Sequence, residues 1–109
     1  SWAGSKVCWG EVESVAGAVL GTLALQVHPE PHFVKALVRS VEHLEQLGRF
    51  GSAAMVLQML ARGHLALDDV GAAIRTLGRA GPLAEAAGRP LLHARLQAEA
   101  EALARGEHE

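Results

Sequence analysis

One cysteine, Cys8, stands among 109 residues, so no internal disulfide can form and the core must hold by packing alone. That usage suits a reducing compartment and sets the expected location inside the cell, in cytoplasm or nucleus. Aromatic residues are few. Tyrosine is missing, Phe33 and Phe50 are the only phenylalanines, and Ile74 is the only isoleucine. Valine apart, strand-formers are too scarce for a sheet, while leucine and alanine dominate and favour helices. Charge of one sign is lacking too. Ten basic and twelve acidic residues are interspersed along the chain, for a net charge of −2, with no basic tail or acidic arm. Phosphate binding rests on a concentrated positive face, so nucleic acid is not the expected partner. Nor is there a long apolar run. Residues 15–27 are uncharged but fall short of the roughly 20 residues that span a bilayer. Glu11 and Glu13 precede them where a signal peptide would carry bases. A buried helix is expected there, and no membrane contact.

What is present is helical periodicity. From Gly10 to His28, Val12, Val15, Val19, Leu20, Leu23 and Val27 recur at steps of three and four. Gly17, Ala18, Gly21 and Thr22 make another face small, and the Gly17-x-x-x-Gly21 spacing reads as close packing in a core. Pro29 and Pro31 end this helix and start a second, from about His32 to Leu47, with Phe33, Leu37, Val41 and Leu44 on one face. Gly48 is its natural stop. A third helix, from Ser52 to about Gly63, is apolar nearly all round and should lie between neighbours. A fourth follows Asp68 or Asp69, one of which serves as N-cap, and runs through Leu77 until Gly78-Arg79-Ala80-Gly81 breaks it. Pro82 to Ala87 reads as one short turn. The last helix runs from Pro90 to Arg105 and buries Leu92, Leu96, Ala100 and Leu103. The boundaries are then an irregular arm over 1–9, one all-α domain over 10–105 and a polar tail over 106–109. Trp2 and Trp9 can anchor the arm. The connections are short, so consecutive helices must be antiparallel hairpins.

Two helix starts resemble each other twenty residues apart: Leu47-Gly-Arg-Phe-Gly-Ser-Ala-Ala and Leu67-Asp-Asp-Val-Gly-Ala-Ala. A longer window, 57–80, resembles the tetratricopeptide repeat (TPR) pattern. Leu57 takes the tryptophan position, Leu60-Ala61 the Leu-Gly pair and His64 the tyrosine position. Ala73, Leu77 and Ala80 match the small-large-small spacing of the second repeat helix, and Pro82 arrives about three residues before the pattern's proline. The match covers about residues 51–82. The preceding hairpin keeps Ala53 and Leu57 but has Val41 where a small residue is wanted. Small residues at Ala61 and Ala73 would let two helices approach while large ones fill the gaps. The resemblance implies an all-α fold of antiparallel hairpins stacked as a short right-handed solenoid. An ordinary compact five-helix bundle is the alternative.

Residues able to do chemistry are dispersed. His28 and His32 are separated by two prolines, and His43, His64 and His93 belong to different helices. Zinc wants three or four converging ligands, so no metal is expected. Cys8 lies in the irregular arm, whereas a Cys-His nucleophile pair would need it held rigidly. Glu99 and Glu101, two apart on a helix, do not face each other. No phosphate-binding glycine loop or nucleophile elbow occurs. The expectation is no enzyme, no catalytic residue and no cofactor.

Protein binding remains. The TPR resemblance implies a groove with Gln58 and Arg62 from one helix and Glu42 and Glu45 from the preceding one. These differ from the lysine and asparagine set of TPR co-chaperones that hold a C-terminal carboxylate. The first helix is apolar or small on nearly all sides, so Val19 and Leu23 are candidates for a docking face. The partner would be another protein, a further part of a longer parent chain (the sequence starts at Ser1), or a second copy in a homo-oligomer. The competing reading is a small helical nucleic-acid-binding domain resting on Arg75, Arg79 and Arg89, or on a helix-turn-helix over 63–77. The acidic start of its second helix suits phosphate badly.

Overall fold

Prolines and left-handed residues set the helix ends. The computed structural model describes residues 8–106, which form five helices and no strand: α1 (Trp9–Val27), α2 (Pro31–Gln46), α3 (Phe50–Ala66), α4 (Val70–Ala86) and α5 (Pro90–Ala104). The all-α expectation holds. Pro31 and Pro90 occupy the first turn of α2 and α5, where a missing N–H costs nothing. Most of the 1–9 arm and the 106–109 tail, including Trp2, lies outside the described residues. Trp9, assigned to the arm, instead opens α1 and is 69% exposed.

Three connections repeat one geometry at twenty-residue intervals: Leu47-Gly48-Arg49, Leu67-Asp68-Asp69 and Ala87-Gly88-Arg89. The central residue of each has a positive φ, 72° at Gly48, 62° at Asp68 and 71° at Gly88. The N–H groups of Gly48, Asp68 and Gly88 donate three residues back, to Glu45, Leu65 and Glu85. Those of Arg49, Asp69 and Arg89 reach five back, to Leu44, His64 and Ala84, at 2.9, 2.8 and 3.0 Å. This paired closure of free helix carbonyls is the Schellman motif. The repeat seen in two helix starts therefore extends to a third.

The fourth helix differs from expectation. Gly78-Arg79-Ala80-Gly81 does not break it, and α4 runs on through Pro82 to Ala86. Tertiary packing overrides the local signal: Ala80, Gly81 and Ala84 are buried, and the bare backbone at Gly81 accepts the His93 ring of α5. A Cβ there would stand 3.1 Å from that ring. Pro82 is exposed, and the carbonyl it leaves unbonded, four residues back, belongs to exposed Gly78, where water can reach it.

Three-residue links make consecutive helices antiparallel, and α3 is central, packed on α1, α2 and α4. α5 packs chiefly on α4. The molecule measures 50 × 31 × 18 Å, about two helices thick. Leu25, Leu37, Val41, Leu44, Val56, Leu57 and Leu96 are fully enclosed, each leucine contributing about 1.5–3 kcal/mol by burial. Gly63 lets α3 meet α1 and α2 together. A Cβ there would lie 2.8 Å from Leu25 Cδ1 and 3.7 Å from Leu37 Cδ1. In the α3–α4 hairpin Leu57, Leu60, Ala61, Ala73, Leu77 and Ala80 are all buried.

Candidate interaction surfaces

The expectation of a buried first helix is half overturned. The line of α1 that enters the core is Ser14, Ala18, Gly21 and Leu25. A Cβ on Gly21 would stand 3.7–3.8 Å from Leu37 and the Phe33 carbonyl, whereas one on Gly17 would meet open space, so Gly17 is no packing point. Small residues allow the closest backbone approach, so they win the inward position. The larger side chains are left outside: Val12 45%, Val19 40%, Leu20 67%, Leu23 52% and Val27 71% exposed. At about 100° per residue they and Ala16 form one stripe, roughly 100° wide, opposite the buried line. Of this stripe Val19 and Leu23 were expected as docking residues. Leu20, Val27 and Trp9 belong with them, and the three-four periodicity already carried that signal.

The end of α1 is pinned by polar contacts. The Ser14 hydroxyl, largely buried, shares a hydrogen bond with His43 Nδ1 of α2 at 2.7 Å. Ser52 of α3 donates to the Glu11 carboxylate, which also lies 3.6 Å from Arg49 Nε. These contacts put the start of α1 beside the start of α3, as expected for helices running the same way. Glu11, Arg49, Phe50, Ser52 and Arg89 line a shallow crease of about 390 Å³ at this end.

Two of the polar candidates are engaged by other helices. Gln58 Nε2 donates to Glu99 of α5, and Glu45 accepts from Arg79 Nη2 of α4 at 2.9 Å. The two are tied into different seams. Glu42 and Arg62 are exposed. Of the arginines weighed for nucleic acid, Arg79 is engaged by Glu45, and the Arg89 Nη1 lies 3.5 Å from Met55 Sδ on α3. Asp69, not Asp68, caps α4, accepting from the Ala72 N–H at 3.1 Å.

His64, half-buried on α3, has its pKa lowered. Burial is the main cause; Asp69 opposes it and Arg75 adds to it. Among the described residues, no group of three or more His, Cys, Asp or Glu side chains could hold a metal ion. No described helix is long and apolar enough to cross a membrane. Set beside known protein families, curated proteins and solved structures, the chain matches none.

Proposed function

We propose that the chain is a non-catalytic, TPR-like helical-hairpin module that binds another protein inside the cell, with the outer face of α1 as its main contact. One observation carries this reading: six of the ten large apolar side chains exposed among the described residues lie on α1, while Leu91, the most exposed, is on α5 and Leu47, Phe50 and Met55 lie elsewhere. A contiguous apolar patch is costly to leave in water and marks a contact surface. The buried small residues Ala61 and Ala73, with Leu57 and Leu77 around them, support the repeat-like character of the α3–α4 hairpin. Exposed Glu42 and Arg62 supply polar groups beyond the apolar contact. The nucleic-acid alternative is weakened by the ion pair that occupies Arg79.

The test is affinity capture with the wild type and with a Leu20→Glu/Leu23→Glu double variant, each checked for helix content by circular dichroism. Retained proteins are identified by mass spectrometry. The expected result is a partner retained by the wild type and lost by the variant. Retention on DNA that falls steeply with salt would overturn the reading in favour of the alternative.

A further inference from the structure

We infer that the occupant of the α1 face is a second copy of the same face, laid antiparallel across a two-fold axis between Val19 and Leu20. This rests on the proposed interaction role and names its partner. The exposed stripe is Val12, Ala16, Val19, Leu20, Leu23 and Val27. Its successive steps are four, three, one, three and four residues, the same read in either direction. A face with that property can be placed against its own image with every apolar residue meeting another. Val12 falls opposite Val27 of the mate, Val19 opposite Leu20, and Ala16 opposite Leu23, a small residue against a large one on both sides of the axis.

Electrostatics point the same way. Residues 14–27 carry no charge, so two copies meet without like-charge repulsion, and a charged partner would find nothing to pair with. Glu13, just beyond the stripe, falls opposite uncharged Gln26 of the mate. The area is sufficient. The exposed fractions, with Trp9, amount to more than three fully exposed large side chains per copy. Two copies would then bury on the order of 1,000 Å², the lower bound for a specific interface. The stripe lies on the side of α1 opposite its buried line, so the other helices leave the mate room.

The experiment is light scattering of the wild type at roughly 100 µM, above the micromolar dissociation constant such an area supports. The expected mass is twice 11.5 kDa. Leu20→Glu and Leu20→Lys should each halve it with helix content unchanged, and their mixture should restore it. Geometry is read by oxidative cross-linking in a Cys8→Ser background. Leu20→Cys should link to itself. Val12→Cys should link to Val27→Cys but not to itself, because the two Val12 positions would be about 22 Å apart along the axis. A Val12→Cys self-link overturns the antiparallel arrangement. A monomeric wild type overturns the second copy as occupant. If the Leu20→Glu/Leu23→Glu variant then still loses a captured protein, the interaction role stands with that other occupant. If nothing is captured either, both readings fall.

Discussion

The Ser14 hydroxyl lies 2.7 Å from His43 Nδ1 and forms a polar stitch between α1 and α2 in an otherwise apolar seam. A serine beside an imidazole also supplies two of the three members of a nucleophilic triad, so its role can be tested. With Ser14 only 8% exposed, Ser14→Ala should cost about 0.5–1.5 kcal/mol, measured as a lower urea midpoint. A fluorophosphonate probe should leave Ser14 unlabelled. Labelling would make the α1–α2 seam a catalytic site.

Asp68 takes the left-handed place that Gly48 and Gly88 hold in the equivalent turns. A side chain is strained there, though aspartate tolerates it better than most. Asp68→Gly should therefore stabilise by about 0.5–1 kcal/mol, while Gly88→Ala should destabilise by about 1–2 kcal/mol. Thermal melting of both variants checks the contrast. Equal shifts of one sign would mean that the three turns are not equivalent.

Pro82 lies within α4 on its exposed side. Pro82→Ala restores the missing N–H without disturbing a buried contact. The expected gain is about 2 kcal/mol, the helix-interior penalty less the stiffening that proline gives the unfolded chain. Urea unfolding measures it, and a loss of stability would show that the ring packs usefully against α5.

His64 supplies a pH dependence. Burial lowers its folded pKa, so below the ordinary value near 6.5 the unfolded chain takes up protons more readily than the folded one. Its contribution is complete above that value and is lost as pH falls from there toward the folded pKa. His64→Gln should flatten this part of a stability profile between pH 7.5 and 5.5. An unchanged slope would assign the effect elsewhere.

Helix number and antiparallel order were legible because proline or glycine marks three of the connections, an aspartate pair marks the one between α3 and α4, and leucine marks the faces. Two features were not. Pro82 and the glycines before it carry the chemistry of a helix end, and only the docking of His93 on Gly81 shows why the helix continues. In α1 the periodicity exposed a stripe but not its direction, because beyond Glu13 neither face carries a charge. Size decided: Ala18 and Gly21 let α2 and α3 come close, and the valines and leucines were left outside. The polar candidates were placed by the repeat register, which does not show that Gln58 bonds to Glu99 of α5 and Glu45 to Arg79 of α4.

The central place of α3 bears on how the molecule comes apart. α5 leans chiefly on α4, so it can detach without disturbing the contacts of α1 with α2 and α3. Opening should then proceed from the C-terminal end, baring Leu92 and Leu96 while the other four helices stay closed. Amide protection would grade outward from α3 and be weakest along α5. A uniform rate throughout would mean instead that the five helices rise and fall together.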